Sequence, residues 1–272
     1  MRLKISHTTE YVYSEPVAYS LQRLRLHPKT EPGQTVLNWQ TTVEGARAEL
    51  SYSDHFGNRI DLVSINGDQT VIRITAAGEV ETRDLAGVFG ADTSYVPLWL
   101  YKRDTALTKP GKLTRELIRS VTGDSDLATM HALMAAIHKA VAYRPGETRT
   151  DTTAEQALEQ KSGVCQDHAH IMITAARLLG HPARYVSGYL MMDDVAEQTA
   201  SHAWAEVHLA GLGWVGFDAV NEICPDERYV RLATGLDYRD AAPISGLVHG
   251  AAHETLSVSL TVESQGQSQS QS

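Results

Sequence analysis

The chain of 272 residues contains little cysteine and no long apolar run. Cys165 and Cys224 are its two cysteines, too few for a scaffold held together by disulfides. No stretch approaches the roughly 18 apolar residues of a membrane-spanning helix, and residues 1–7 alternate in polarity and do not form the apolar core of a signal peptide. We therefore expect a cytoplasmic protein without a membrane partner.

A basic cluster is also absent. The formal net charge is −9, and no run of Lys and Arg forms the patch that a nucleic-acid or anionic-membrane binder would usually carry. No repeat with a solenoid period is present. The hydrophobic content of 42% is enough for the core of one large domain or two smaller ones, so we expect a globular protein without a nucleic-acid partner.

The first 100 residues have the pattern of short β-strands. Residues 2–8 and 71–76 are examples of strand-forming runs, and turn-forming residues such as 54–58 separate the runs. Regular spacing of short strands favours an antiparallel sandwich or barrel. We predict an N-terminal antiparallel β-sandwich-like domain over residues 1–100.

Helical spacing replaces the strand pattern after Pro110 and gives way to strands again after Pro182. Four helices are predicted. The first, second and fourth span residues 113–121, 127–141 and 165–179, and the short third helix begins at Thr152 and Glu155, which have the spacing of a capping box. Strands are predicted at 183–190, 202–209, 214–218 and 256–262. This order predicts an α+β protein whose second domain spans residues 101–262. Residues 263–272 contain no apolar residue and are predicted to be a disordered tail.

Cys165 lies at the predicted start of the fourth helix. A helix N-terminus carries a partial positive charge that stabilises a thiolate, and Gly163 lets the chain turn tightly just before it. The alternative is a buried, inert cysteine. A further group that stabilises the thiolate is therefore needed before Cys165 can be interpreted as a nucleophile.

His202 and Asp218 supply such partners. Both are at ends of predicted strands joined by a glycine-containing turn at residues 211–213, so both side chains could lie on one face beside the helix of Cys165. A thiol attacks as thiolate, an imidazole takes its proton, and a carboxylate orients the imidazole. Alone, His202 could be an ordinary core or surface histidine and Asp218 a turn residue. Together the three residues predict a nucleophilic Cys-His-Asp site.

Three further residues are candidates for substrate binding or support. Tyr143 could cover the thiol or belong to the core, Gln166 follows the cysteine directly, and Trp204 could pack the sheet or border the cleft. An oxyanion hole would use the backbone N–H of Cys165 and a second donor that the sequence does not identify.

A metal site is not expected. His168 and His170 are two residues apart on a predicted helix, so they point in nearly opposite directions and cannot chelate one ion. One of them is expected on the solvated face, and no Cys-x-x-Cys or His-Glu-x-x-His spacing occurs. We predict no metal and no other cofactor.

Residues 163–170, 182–189 and 202–207 resemble the transglutaminase-like superfamily. Within it, the chain is similar to bacterial transglutaminase-like proteins described as candidate cysteine proteases, which carry an N-terminal β domain. The resemblance implies a papain-like core of helices packed on an antiparallel sheet. It also implies that Cys165 is the nucleophile, that His202 acts as base and then acid, and that Asp218 orients His202.

Two departures from the family pattern are visible. Residues 219–221 are Ala-Val-Asn where the family usually has Pro-Thr-Asn, and this change is expected to loosen the loop behind Asp218. No acidic calcium loop is present, so calcium-dependent cross-linking is not expected. The acidic segment 191–200 is predicted to form a mobile loop beside the substrate cleft.

The predicted function is thiol-dependent acyl transfer or hydrolysis at an amide bond, through a thioester, as in a peptidase, amidase or deamidase. The substrate would be a peptide or another amide-containing molecule. Hydrolysis is favoured over transamidation, although the triad serves both, and the oligomeric state is left open. The alternative is a catalytically silent protein of this fold that acts as a binding or assembly module.

Overall fold

The computed structural model of the chain describes residues 1–67, 69–91, 95–193, 195–249 and 253–264. The strands in this part of the chain are β1 (Arg2–Tyr13), β2 (Tyr19–Leu24), β3 (Gln34–Glu44), β4 (Arg47–Ser53), β5 (Arg59–Asn66), β6 (Val71–Thr82), β7 (Val88–Gly90), β8 (Ala142–Tyr143), β9 (Ser162–Gly163), β10 (Ala183–Leu190), β11 (Glu197–Gln198), β12 (His202–Leu209), β13 (Gly213–Phe217), β14 (Tyr229–Gly235), β15 (Ile244–His249) and β16 (Glu254–Ser264). The helices are α1 (Lys112–Arg119), α2 (Asp126–Ala140), α3 (Ala154–Gln160), α4 (Cys165–Leu178) and α5 (Tyr238–Ala241).

Two antiparallel sheets pack face to face in the N-terminal part. Their strand orders are β11-β16-β1-β6-β3 and β15-β2-β5-β4. Every second residue of β1 is buried, from Leu3 to Tyr13, because alternate side chains of a strand point to opposite faces. Apolar side chains of both sheets, including Leu24 and Ile72, share one core cluster. This part has the predicted antiparallel sandwich architecture.

The second part is an antiparallel sheet of order β14-β10-β12-β13-β7 with helices on one face. Helix α4 lies against β12 and β10. All of its residues from Gln166 to Arg177 are buried, because α1, α2 and α3 cover the side that faces away from the sheet. The predicted α+β class, with helices packed on an antiparallel sheet, is confirmed. No helix in the described ranges combines the length and apolar character that crossing a membrane requires.

Strand pairing crosses the predicted boundaries between domains. β7 precedes residue 100 but joins the core sheet beside β13. β15 pairs with β2, and β16 pairs with β1 along its whole length, so the chain returns to the sandwich at its end. β16 also extends to Ser264, two residues into the segment expected to be disordered, and residues 265–272 lie outside the described ranges.

The cap of the third helix differs from the prediction. Thr153 and Gln156 form the capping box of α3, and not Thr152 and Glu155. The Glu155 carboxylate instead accepts hydrogen bonds from two backbone N–H groups and one hydroxyl at the start of α1. Glu155 therefore caps a neighbouring helix, which local spacing alone does not reveal.

The sandwich covers the free edge of the core sheet with two amide side chains. Gln34 accepts from the backbone N–H of Arg231 at 2.8 Å and donates to its carbonyl oxygen at 3.0 Å. Asn58 forms the same pair of bonds with Thr234, at 2.9 and 2.7 Å. The two amides therefore satisfy edge groups of β14, which would otherwise be buried without partners.

Replacing Gln34 with alanine should lower the free energy of unfolding by about 2 to 4 kcal/mol, because two buried backbone groups of Arg231 would lose their partners. Urea unfolding followed by circular dichroism measures this change. Gln40→Ala, at an exposed position of the same strand, is the matched control and should change stability by less than about 0.5 kcal/mol. Equal effects of the two substitutions would contradict the structural role of Gln34.

Candidate active site

Cys165 is the first residue of α4, and its side chain is partly exposed. A Cβ at Gly163 would lie 2.7 Å from the Cβ of Asp167, so glycine is needed where the chain turns into the helix. The Asp167 carboxylate accepts hydrogen bonds from the backbone N–H of Val164 at 2.8 Å and the hydroxyl of Thr148 at 2.7 Å. The predicted placement of Cys165 at the positive end of a helix is therefore observed.

His202 opens β12, and Asp218 directly follows β13, the antiparallel neighbour of β12. Nε2 of His202 lies 2.6 Å from Oδ2 of Asp218. The thiol of Cys165 lies close enough to contribute to the raised pKa of His202, and its Sγ lies 4.0 Å from the carbonyl oxygen of Ser201, the residue before His202. Carboxylate, imidazole and thiol therefore lie together, although they come from three separate parts of the chain.

The Asp218 carboxylate is 1% exposed, and both of its oxygens are hydrogen-bonded. In addition to His202, Oδ2 accepts from the Asn221 amide and from the Tyr229 hydroxyl, each at 2.7 Å. Oδ1 accepts from the backbone N–H of Val220 at 2.9 Å and of Asn221 at 3.3 Å. These bonds tie the loop behind Asp218 to the carboxylate, and the expected loosening through loss of a proline stays a prediction.

The electrostatics of the pair favour imidazolium and carboxylate. Burial alone would lower the pKa of His202, but its hydrogen bonds and charge interactions with Asp218 and Cys165 outweigh burial and raise the pKa to about 10. Burial alone would raise the pKa of Asp218, but the interactions with His202, Asn221 and Tyr229 bring it below its usual value. His202 therefore keeps its proton up to about pH 10, the charge state that stabilises an adjacent thiolate.

Tyr229 and Asn221 are the site residues that sequence reasoning missed. Tyr229 is the first residue of β14, where an aromatic residue is an ordinary strand former, and its spacing from Asp218 carries no signal. Asn221 was noted only as part of the family pattern. Only the pairing of β14 with β10 brings the Tyr229 hydroxyl to the carboxylate.

Tyr229→Phe should slow alkylation of Cys165 at pH 6 by about 3- to 10-fold. Loss of the Tyr229 hydroxyl should weaken the stabilisation of the His202–Asp218 charged pair by roughly half to one pKa unit, which corresponds to that factor. The measurement is the rate of reaction with iodoacetamide in the Cys224→Ser background. Tyr19→Phe, at an exposed tyrosine of β2, is the control and should leave the rate unchanged. An unchanged rate in Tyr229→Phe would show that its hydroxyl does not support Asp218.

Tyr143 lies beside the triad and is not a core residue. Its strand pairs in parallel with β9, with Tyr143 opposite Gly163, and 54% of its surface is exposed. Burial, and then the nearby charges of Cys165 and Asp218, raise its pKa. Tyr143 therefore lies at the surface near the thiol and is not a core residue, and its role as a cover for the thiol stays a prediction.

Gln166 and Trp204 support the site from below the surface. Gln166 is buried, and its amide donates to the carbonyl oxygen of Thr150 at 3.2 Å, which fixes the loop next to the thiol. Trp204 is 1% exposed; its ring stacks on that of His202, with centroids 6.3 Å apart, and meets Tyr229 edge-on at 5.3 Å. Trp204 therefore packs behind the imidazole and does not border the cleft.

His168 and His170 are both buried, so the expectation that one of them faces solvent is wrong. The ring nitrogens of His168 contact the carbonyl oxygens of Val164 at 2.9 Å and Val141 at 3.0 Å. His170 accepts from the backbone N–H of Tyr238 at 3.1 Å, and burial lowers its pKa to about 4, so it is neutral. Both rings serve the packing of α4, and no group of three potential metal ligands occurs within the described ranges.

The segment at residues 191–200 is not a free loop over its whole length. Glu197 and Gln198 form β11, which pairs with β16, and the Gln198 amide donates to the carbonyl oxygen of Leu190 at 2.8 Å. Asp194, one of the predicted acidic residues, lies outside the described ranges. Ser201, whose carbonyl oxygen lies beside the thiol, directly follows this segment. The pairing of β11 with β16 therefore links the sandwich to the site.

Comparison with known proteins identifies the family of the chain. The family model described as the transglutaminase-like superfamily matches residues 112–219, and that of the bacterial transglutaminase-like N-terminal region matches residues 3–81. An uncharacterized protein of Mycobacterium leprae is 31% identical, over 94% of this chain and 96% of that protein. An uncharacterized protein of Mycobacterium tuberculosis is 28% identical, over 96% of this chain and 92% of its own length.

A solved structure shares the whole fold. The crystal structure of a candidate cysteine protease from Cytophaga hutchinsonii superposes with a TM-score of 0.76 at 20% identity, over 97% of this chain and 98% of that one. At this identity the likeness is one of fold. The protein belongs to the transglutaminase-like superfamily, as the three sequence motifs implied.

Proposed function

We propose that the protein is a thiol-dependent enzyme that acts on amide bonds, with Cys165 as nucleophile, His202 as acid and base, and Asp218 as orienting carboxylate. The observation that carries the proposal is the hydrogen bond between Asp218 and His202, next to a thiol at the start of α4 that contributes to the raised pKa of His202. Superfamily membership and the fold shared with a candidate cysteine protease support it.

The first half of the reaction forms an acyl-enzyme. The Cys165 thiolate attacks the amide carbonyl carbon, and the oxyanion develops near the Cys165 backbone N–H, which has no acceptor within the helix. The carbon–nitrogen bond then breaks as the His202 imidazolium gives its proton to the departing amine. A thioester on Cys165 and a neutral imidazole remain.

The second half releases the acyl group. Neutral His202 takes a proton from water or an amine, which attacks the thioester carbon, and the carbon–sulfur bond breaks to restore thiolate and imidazolium. Water gives a carboxylic acid, and an amine gives a new amide. The bacterial relatives and the lack of an acidic calcium loop in the sequence support hydrolysis of a peptide or another amide-containing substrate.

Intact mass spectrometry tests the proposal on the full chain, acid-quenched after incubation with peptide amides and glutamine peptides. We expect an acyl adduct on Cys165 that hydroxylamine removes, and that Cys165→Ala lacks while Cys224→Ser retains it. Ammonia release without incorporation of a fluorescent amine supports hydrolysis, and incorporation supports transamidation. No adduct with any substrate, together with ordinary reactivity of the thiol, would contradict an enzymatic role.

A further inference from the structure

We propose that the protein has a second ligand site, for a small organic anion with an apolar body, on the opposite face of the core sheet from α4. A cavity of about 590 Å³ lies there between the core sheet and loops of the sandwich. Its floor includes Arg184 and Trp214, while their strand neighbours Tyr185 and Val215 belong to the core beneath α4. The volume is typical of a small-molecule site.

The Arg184 guanidinium is held rigidly on this floor. Its Nε donates to the fully buried Glu206 at 2.7 Å, and its central carbon lies 4.0 Å from the centre of the Trp214 ring. No described residue accepts a hydrogen bond from Nη1 or Nη2, and neither atom is sealed from the cavity. A fixed guanidinium whose two terminal nitrogens have no described acceptor is suited to bidentate binding of a carboxylate or phosphate.

The two acidic side chains that line the cavity in the described part of the chain, Glu31 and Asp54, already have partners. Glu31 pairs with Arg231 at 3.1 Å, and Arg231 also pairs with Glu206 beneath the floor. Asp54 accepts from both the backbone and the amide of Asn58, at 2.8 and 2.9 Å. Both carboxylates therefore have partners, and neither accepts a hydrogen bond from Nη1 or Nη2 of Arg184.

A second cation lies at the rim. Lys29 is half-buried and lines the cavity, and no described carboxylate forms an ion pair with it. His55 also lines the cavity, and its ring lies against that of Phe56 with ring centroids 4.0 Å apart. Among the described residues, Lys29 therefore adds a second cation beside the terminal nitrogens of Arg184, and the two groups together favour an anion.

The walls determine the rest of the ligand. Apolar and aromatic side chains line the cavity around the cations, including Phe56, Phe89, Val96 and Leu100. An anion with an apolar or aromatic body can contact the walls while its charged end lies at Arg184. Carboxylates and phosphate monoesters share this chemistry.

Isothermal titration calorimetry on the full chain carrying Cys165→Ser tests the site, with benzoate, phenyl phosphate and neutral benzamide as probes at constant ionic strength. We expect one anion or both to bind and benzamide not to bind. A preference for benzoate identifies a carboxylate site, and a preference for phenyl phosphate identifies a phosphate site. The Cys165→Ser background and the wild type should give the same affinity, because the cavity is separate from the thiol.

Arg184→Lys keeps a charge beside Glu206 but removes the two-nitrogen fork, so the affinity should fall about tenfold or more, the worth of a charge-assisted hydrogen bond. Lys29→Gln, at a half-buried position of the cavity lining, should weaken binding several-fold. Lys139→Gln, exposed on α2, is the control and should bind as wild type. If neither anion binds better than benzamide, or if both Arg184→Lys and Lys29→Gln bind normally, the proposal is wrong.

Discussion

Cys165→Ala should abolish acyl-enzyme formation and lower turnover by about 10⁴-fold or more, because the thiolate is the atom that forms the covalent bond. His202→Ala should cause a loss of similar size. The double substitution should be hardly worse than either single one, because residues that act as a unit have strongly non-additive effects. Turnover is measured on the substrate that the adduct experiment identifies.

Asp218→Ala should also lower turnover, but by roughly one to two powers of ten less than Cys165→Ala does. Asp218 orients and stabilises the imidazole and takes no part in the bond changes. The matched control is Cys224→Ser. Cys224 is partly buried, and burial raises its pKa to about 11, so it is a poor nucleophile and its replacement should leave turnover unchanged. Persistent turnover in Cys165→Ala would contradict the assignment of the nucleophile.

The second large effect is expected in the pH dependence of thiol alkylation. An ordinary thiol with a pKa near 8.5 loses about tenfold in alkylation rate for each pH unit below that value. The His202 imidazolium, retained up to about pH 10, should keep Cys165 reactive well below pH 7. At pH 6 we expect Cys165 to react with iodoacetamide at least about tenfold faster than an ordinary thiol.

Removal of the imidazolium should restore ordinary behaviour. In the Cys224→Ser background, His202→Ala should restore the steep pH dependence of an ordinary thiol. Asp218→Asn should give an intermediate profile, because loss of the carboxylate charge lowers the pKa of His202. His249→Ala, at an exposed histidine of β15, should match the parent. If the alkylation rate of the parent has the pH dependence of an ordinary thiol and is unchanged by His202→Ala, the result would favour the catalytically silent binding module.

The elements that local pattern specifies were predictable. The start of α4 at Cys165 follows from the glycine before it and the apolar spacing after it, and β12 and β13 follow from their alternation and the turn between them. These local signals were enough to suggest that the three triad side chains converge. Their catalytic roles stay predictions until the alkylation and turnover experiments are done.

The errors concern residues whose environment is made by distant parts of the chain. His168 lies on a helix whose local pattern suggests a solvated face, but other helices cover that face and both of its ring nitrogens contact carbonyl oxygens. Glu155 has the spacing of a capping box, but α1 lies close enough to take its carboxylate. Polar spacing alone does not say which neighbour will supply the partner.

The sequence by itself determined the α+β class, the order of the elements, the family and the three residues of the candidate triad, because strand and helix periodicity and motif spacing are local properties. Tertiary structure alone decided that Tyr229 and Asn221 hold Asp218, that β15 and β16 return to the sandwich, and that Arg184 faces a cavity. The Asn221–Asp218 contact is local in the chain, but the other contacts join separate elements, and their geometry depends on how the strands and sheets pack against each other.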